Sequence, residues 1–148
     1  MSLTFAIRRA FEKKARNDNW NKWPHLFVAV DLHDVIITGT YHKFNEGATF
    51  FPNAIKALKL MSDDPRFCLI LYSSSYNEVA QVFMDRVKDE HGIIFKYFNE
   101  NPECPSNDIC DFSSKFYFDL FFDDKAGFEA DHDWAEVIFA IKTYGSSL

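Results

Sequence analysis

Apolar residues are arranged in two ways along this chain, and the two arrangements alternate. Short continuous apolar runs are typical of strands that are buried on both faces, as in a parallel sheet. They predict four strands, at residues 26–31, 67–72, 93–98 and 116–122. Apolar residues spaced three or four apart are typical of helices that pack on one side. They predict four helices, at residues 4–16, 52–63, 77–88 and 134–144.

Strands that alternate with helices predict an α/β fold, a three-layer sandwich around a central, mostly parallel sheet. No change in composition marks a second domain, so we expect residues 1–148 to form one domain. Its expected parts are a basic N-terminal helix with a connector, a core and a closing helix, at residues 1–22, 25–128 and 131–144. We expect Pro52 at the first position of the second helix, and Asp131 or Asp133 as the cap of the last. The polar stretch 39–52 is expected to form an ordered flap.

The net charge of −6 conceals a basic N-terminus. Residues 1–22 contain more basic than acidic side chains, the basic ones being Arg8, Arg9, Lys13, Lys14, Arg16 and Lys22. Such a helix is compatible with nucleic-acid binding or with a targeting segment. We favour a structural role, in which its apolar residues pack on the domain: Phe5, Ile7, Ala10 and Phe11. By the same spacing, the helix at 77–88 should bury Val79, Val82, Phe83 and Val87.

Composition restricts the class of protein. Hydrophobic residues make up 47% of the 148 and aromatic residues 18%, which supports a packed core and argues against disorder. The three cysteines are too few for a disulfide framework; Cys68 should lie in the core, and Cys104 and Cys110 lack the paired spacing of a zinc site. No apolar stretch approaches the ~20 residues of a membrane span. We therefore expect a cytoplasmic protein with no membrane partner.

Two of the predicted strands end in carboxylates that are far apart in the chain. Asp31 follows the apolar run 26–30, and Asp123 and Asp124 follow the run 116–122. Ligands of parallel sheets bind just outside the carboxyl ends of the strands, so these acids should meet at one edge. Three carboxylates at one edge suit a hard divalent cation, and Mg²⁺ is the expected cofactor.

Four motifs in order make the chain resemble the haloacid dehalogenase superfamily of phosphate-ester hydrolases. Residues 31–36 read Asp-Leu-His-Asp-Val-Ile, where that family usually has Asp-x-Asp-Gly followed by Val or Thr. Ser73, at the end of the second predicted strand, resembles the second motif. Lys115 resembles the third, and Asp123 and Asp124 resemble the fourth. Each motif is weak by itself, but their order and their positions at the ends of elements are specific.

The resemblance implies a phosphohydrolase that acts on a phosphomonoester through an aspartyl-phosphate, with Asp31 as the nucleophile. The implied Mg²⁺ ligands are three carboxylates and one backbone carbonyl, from Asp31, Asp123, Asp124 and His33. The hydroxyl of Ser73 and the ammonium of Lys115 would bind phosphate oxygens. Ser74 and Ser75 offer the same hydroxyl close to Ser73, so the phosphate ligand among the three stays open.

His33 is the main departure from the family pattern, because the family has an aspartate that acts as general acid and base at this position. An imidazole can give and take protons near neutral pH, so His33 is a candidate catalytic acid–base. Three interpretations are open: a working phosphatase, one that forms the aspartyl-phosphate but hydrolyses it slowly, and a module without turnover. Asp34, where the family usually has glycine, is close enough to be a substitute acid, although aspartate also tolerates unusual backbone angles.

The chain also resembles family members that lack a cap domain, because residues 35–51 and 75–115 are too short to hold one. That resemblance implies a large phosphorylated substrate, or closure of the site by a neighbouring subunit. The acidic body argues against a nucleic-acid substrate, although the basic N-terminal helix would permit one. The competing class of function is a module that binds metal and a phosphorylated ligand or partner without turnover.

The polar loop after the third predicted strand is expected to lie beside the site. The amides of residues 99–102 either orient a ligand or cap a polar turn, and both interpretations are open. Lys125 is expected to face the same cleft.

Overall fold

Four strands form one sheet, and all their pairings are parallel. The computed structural model describes residues 2–16, 23–38 and 49–145. In chain order the elements are α1 Leu3–Arg16, β1 Leu26–Asp31, α2 Ala54–Asp63, β2 Phe67–Tyr72, α3 Asn77–His91, β3 Phe95–Phe98, β4 Leu120–Phe122, a 3₁₀ turn Asp124–Ala126 and α4 Asp133–Tyr144. The strand order is β3-β2-β1-β4. The predicted α/β fold with a parallel sheet is confirmed, and the described residues form no cap domain.

Alternate residues of each strand point to opposite faces of the sheet, and the two faces have different cores. Val28 and Val30 of β1 belong to the larger apolar cluster, together with residues of all four helices. Phe27 of β1 and Ile70 of β2 belong to a smaller cluster on the other face. The helices therefore pack on one face, which we call the helical face.

The opposite face is covered by residues 99–119, an irregular segment that crosses the sheet from the end of β3 to the start of β4. Asn101 is buried and donates from Nδ2 to the carbonyl of Tyr117, at 2.9 Å. Glu103 accepts hydrogen bonds from Lys96 and from the hydroxyl of Tyr97. These contacts hold the segment against the sheet as a third layer that contains no helix. We call this side of the sheet the non-helical face.

The N-terminal helix belongs to the core. Ile7, Ala10 and Phe11 are buried, and α1 packs against α4. Thr4 donates to the carboxylate of Glu136 from both its amide and its hydroxyl, at 2.9 and 2.8 Å. Phe5 is 39% exposed, so the expectation that it packs on the domain is only partly met.

The last strand is shorter than the apolar run predicts, because Asp119 interrupts the ladder. Its carboxylate accepts the Phe27 amide at 2.8 Å, in place of a backbone carbonyl. The side chain also binds Lys14 and the hydroxyl of Tyr117. Regular pairing therefore begins only at Leu120, and the aromatic residues before Asp119 lie across the non-helical face.

Several boundaries and side chains differ from the sequence-based expectation. The second helix begins at Ala54, after Asn53 in the left-handed conformation (φ 65°), so Pro52 lies in the preceding turn. Val82 is 48% exposed, and Ala80 is buried in its place because α3 turns its Ala80–Phe83–Val87 stripe to the core.

The expected cap of the closing helix is wrong. His132 holds the cap position without a side-chain hydrogen bond, and Asp133 accepts the amide of Glu129 instead.

The expected flap is described only at its ends, since residues 39–48 lie outside the described residues. Thr38 and Thr49 pair through a backbone hydrogen bond of 2.8 Å, and Phe51 donates to the carbonyl of Ile36 at 3.0 Å. The three cysteines are free thiols, and Cys68 is in the core as expected. Among the described helices, none has the length and apolar character that crossing a membrane requires.

Candidate functional site

Three carboxylates meet at the carboxyl ends of β1 and β4. Asp31, Asp123 and Asp124 each offer an oxygen, and these oxygens lie within 4.8 Å of one another. Asp123 is buried, and the other two are half-buried. Oxygen ligands at such spacing are the donor set that Mg²⁺ or Ca²⁺ prefers. The expectation that the separated acids meet at one edge is confirmed, and the group could hold a metal ion.

The register of the sheet explains why these acids converge. Val30 of β1 pairs with Phe122 of β4, so the next residue of each strand, Asp31 and Asp123, lies at the same height. Asp123 is held there because its carboxylate accepts the amide of Lys125 at 2.7 Å, which caps the 3₁₀ turn. That turn then brings Asp124 back toward the cluster.

The electrostatics of the cluster favour a cation. Burial, followed by the negative charge of Asp123, raises the pKa of Asp31 from the usual 3.8 to about 7. A hydrogen bond from the Leu32 amide, 2.9 Å long, opposes this shift. A carboxylate that burial and a neighbouring negative charge keep partly protonated at neutral pH would release its proton to a divalent cation. The donor set and its charge therefore fit a metal.

The segment after β1 turns sharply, and its backbone conformation depends on Asp34. This residue has a φ of 63°, in the left-handed region that aspartate tolerates better than most residues. Its amide donates to the carbonyl of Ile37, and the carbonyl of Val35 accepts the indole N–H of the buried Trp134 at 2.7 Å. Asp34 is exposed, so its conformational role is supported, whereas a role as substitute acid stays a prediction.

His33 points toward the loop after β2. Its Nε2 lies 3.0 Å from the Ser75 hydroxyl, which lies 2.9 Å from the Ser73 hydroxyl. Ser73 also accepts the amide of Ser75, at 3.1 Å. A continuous hydrogen-bonded chain therefore joins the candidate acid–base to the candidate phosphate ligand. Burial lowers the pKa of His33, and the nearby charge of Asp34 opposes this shift.

The serine loop is held by Asn99, which follows β3. Asn99 accepts the amide of Ser73 at 2.9 Å and donates to its carbonyl at 2.7 Å. Asn99 itself has a φ of 53°. Of the three serines, Ser73 is 4% exposed and Ser74 is exposed, which makes Ser73 and Ser75 the members of this loop that are built into the site.

The amides of the loop after β3 are used within the protein. Asn99 binds the backbone of Ser73, and Asn101 binds the carbonyl of Tyr117. The capped-turn interpretation of this loop therefore accounts for both side chains. Sequence reasoning placed the loop at the correct edge, but it identified neither the clamp on Ser73 nor the bond between His33 and Ser75.

The two candidate lysines are less constrained. Lys115 is exposed, and no described residue forms a hydrogen bond or ion pair with it. Lys115 precedes Phe116, whose ring lies 6.1 Å from that of Tyr72. Tyr72 in turn pairs with Asp31 across β1 and β2. Lys115 is thus near the correct edge, and its contact with phosphate stays a prediction. Lys125 is 87% exposed and lies 3.8 Å from Asp124.

Comparisons with known proteins agree with the fold. A solved structure of a conserved protein from Bacteroides thetaiotaomicron is 25% identical to this chain, with a TM-score of 0.60. The match covers 80% of this chain and 91% of the other. The two chains share a fold. No protein-family model and no curated protein matches the chain.

Proposed function

We propose that the protein is a Mg²⁺-dependent phosphohydrolase of the haloacid dehalogenase type, which cleaves a phosphomonoester through an aspartyl-phosphate on Asp31. The observation that carries this proposal is the meeting of Asp31, Asp123 and Asp124 within 4.8 Å at the carboxyl edge of a parallel sheet. These carboxylates, with the backbone carbonyl of His33, would hold the metal, which supplies charge neutralisation for the phosphoryl group.

The nucleophile in this mechanism is Asp31. One of its carboxylate oxygens attacks phosphorus, and the bond from phosphorus to the leaving oxygen breaks. The leaving oxygen takes a proton from the imidazolium form of His33, which burial makes less abundant because it lowers the pKa of the imidazole. Water then attacks the aspartyl-phosphate and gives a proton to His33, which releases inorganic phosphate and restores the Asp31 carboxylate. Asp31 must be ionised to attack, and the positive charge of Lys115 would favour this state.

Ser73 and Ser75 have different roles in the proposal. The Ser73 hydroxyl is the proposed phosphate ligand, and the bond of Ser75 to His33 orients the imidazole before substrate binds. General acid–base help of this kind is typically worth about 10²–10⁴-fold in rate. Loss of the His33 side chain should therefore slow turnover by a similar factor.

A module that binds a phosphorylated ligand without turnover is the second candidate. It is favoured by the hydrogen bonds that occupy both His33 Nε2 and the Ser73 hydroxyl within the protein. Catalysis requires these groups to exchange Ser75 for substrate. Binding alone requires only the acid cluster and a cation.

The test is hydrolysis of p-nitrophenyl phosphate, with Mg²⁺ and with a chelator, by the wild type, Asp31→Asn and His33→Ala. Asp131→Asn is the matched control, because Asp131 is an exposed aspartate that is not a member of the carboxylate cluster. We expect Mg²⁺-dependent activity that Asp31→Asn abolishes and His33→Ala reduces by about 10²–10⁴-fold.

Acid-quenched samples analysed by mass spectrometry should show a phosphate attached to Asp31 that accumulates in His33→Ala. Activity that persists in Asp31→Asn would refute the mechanism. Mg²⁺ binding by the wild type with no hydrolysis of any phosphomonoester would favour the binding module.

A further inference from the structure

Four aromatic side chains form a closed group on the non-helical face, which we call the aromatic platform: Tyr72, Phe116, Phe118 and Phe121. The ring of Tyr72 lies 4.9 Å from that of Phe121 and 6.1 Å from that of Phe116. Phe118 completes the group, at 5.1 Å from Phe121 and 5.8 Å from Phe116. Each ring therefore contacts two others of the platform.

The register of the sheet places the aromatic platform on the same face as the candidate metal centre. Tyr72 pairs with Asp31, and paired residues of neighbouring strands point to the same face. Phe121 and Asp123 are two residues apart, so their side chains share that face as well. Phe121 pairs with Ala29, whose small side chain leaves room for the rings of Tyr72 and Phe121 to meet above it.

The platform is open to solvent, unlike the residues beside it on the helical face. Tyr72 is 40% exposed, whereas its neighbour Leu71 is fully buried. Phe116, Phe118 and Phe121 are half-buried. Contiguous apolar groups that remain exposed to solvent often mark a binding surface.

A cavity adjoins both the platform and Asn99, the residue that holds the serine loop. Its volume is about 270 Å³, and Phe116 and Asn99 lie in its wall. Asn99 is the residue that clamps the backbone of Ser73. A ligand whose phosphate lies at Asp31 and Ser73 would therefore have the platform and this cavity beside it.

We propose that the aromatic platform binds a planar ring of the substrate, so that the substrates are phosphomonoesters that carry an aromatic ring. This inference rests on the proposed function, which places the phosphate at the acid cluster. Stacking on aromatic side chains recognises any planar ring, and its strength for a nucleobase corresponds to about 5- to 150-fold in affinity. The ring is either a nucleotide base or an aryl group, since both have the chemistry that the platform recognises.

The test uses two pairs of small phosphomonoesters that differ in the ring and share a primary-alcohol leaving group. Benzyl phosphate is compared with cyclohexylmethyl phosphate, and adenosine 5′-monophosphate with ribose 5-phosphate. We expect kcat/KM to favour the aromatic member by at least about fivefold in at least one pair. A preference only in the first pair identifies an aryl group, and one only in the second pair identifies a base.

Variants of the platform connect the preference to its rings. Tyr72→Leu should reduce the ratio of kcat/KM between the two members to about 1, and Tyr72→Phe should keep it. Phe116→Leu is a second ring-removing variant, for use if Tyr72→Leu does not fold. Phe139→Leu is the matched control, because Phe139 is an aromatic residue on α4 that is 59% exposed.

A wild-type protein that does not distinguish the members of either pair would overturn the inference, as would a ratio that survives both ring-removing variants. Failure of the proposed function can be recognised separately. If no phosphomonoester is hydrolysed, the dissociation constants of the same four compounds are measured with Mg²⁺ present. Tighter binding of the aromatic members, lost in Tyr72→Leu, would support the platform without catalysis. Equal binding would overturn it.

Discussion

Asp31 combines two properties that oppose each other. It is a carboxylate that burial and the charge of Asp123 drive toward protonation, with a pKa of about 7. It also has the position of a proposed nucleophile, which must be ionised. A residue under such strain is typical of functional sites, and a cation relieves the conflict. The raised pKa therefore supports a metal site more strongly than an arrangement made only for stability.

Asn99 is the residue whose removal should most disturb the serine loop. Asn99→Ala loses two hydrogen bonds to the backbone of Ser73 and places alanine at a φ of 53°. We expect a loss of about 2 kcal/mol in the free energy of unfolding, because left-handed alanine is disfavoured and buried backbone groups lose their partners. Asn99→Gly separates the two effects and should lose about 1 kcal/mol.

Urea unfolding measures both variants of Asn99. Equal losses for alanine and glycine would show that the left-handed conformation carries no cost here. No loss in either variant would mean that the clamp contributes nothing to stability.

At the scale of elements, α1 is part of the fold rather than an appended basic tail. Its Phe11 is buried and meets the ring of Phe67 edge-on, at 5.7 Å between centroids. The guanidinium of Arg66 lies over the ring of Phe11, at 5.4 Å from its centroid. Arg9, Lys13 and Arg16 lie on the exposed side of α1, whereas Lys14 is half-buried against Asp119.

Two phenylalanines of α1 therefore make a matched pair. Phe11→Ala should lower the free energy of unfolding by about 3–5 kcal/mol, because it leaves a cavity beside Phe67. Phe5→Ala should cost less than about 1 kcal/mol, since Phe5 is 39% exposed. Chemical denaturation of both variants checks this. Similar losses at the two positions would show that α1 is not seated as described.

At the scale of the whole molecule, helices cover one face of the sheet and an irregular segment covers the other. The acid cluster and the aromatic platform both belong to the second face. A segment that must pass from β3 to β4 without a helix leaves part of this face exposed. The architecture thereby leaves room for a ligand beside the carboxylates.

Stability of the metal-free protein should depend on the ionisation of Asp31. Its folded pKa of about 7 is above the usual 3.8, so the folded state holds an extra proton between these values. This stabilisation is present below pH 3.8 and is lost as pH rises through about 7. His33, whose pKa is lowered by burial, has the opposite effect below pH 6.5. The difference between the wild type and Asp31→Asn isolates the contribution of Asp31.

Mg²⁺ should reverse that trend, because it binds the ionised carboxylates. We expect Mg²⁺ to raise Tm at pH 8 and to have little effect at pH 5, where Asp31 is protonated. Below pH 7 the apparent Kd for Mg²⁺ should rise about tenfold per pH unit. Thermal unfolding with Mg²⁺ or a chelator across this range is the measurement. A Tm increase that does not depend on pH would show that Asp31 is not a ligand.

The sequence by itself determined the parallel sheet and the edge at which its acids meet. Apolar runs such as the one that ends at Asp31 are buried on both faces, and that property depends only on local composition. The carboxyl ends of parallel strands share an edge, so the convergence of Asp31 with Asp123 followed from topology. The first and second strands were predicted at their observed bounds for the same reason.

Only the tertiary structure decided which side chains support the site. The clamp of Asn99 on Ser73 and the bond between His33 and Ser75 join residues 26 and 42 positions apart, and no local pattern marks them. The late start of β4 depends on the carboxylate of Asp119, which accepts the amide of Phe27 in place of a backbone carbonyl. These two residues are 92 positions apart. The aromatic platform forms because Phe116 and Phe118, in a run predicted as strand, lie outside β4. Their rings contact those of Tyr72 and Phe121. Such choices follow from side-chain hydrogen bonds and packing between distant segments, which periodicity does not encode.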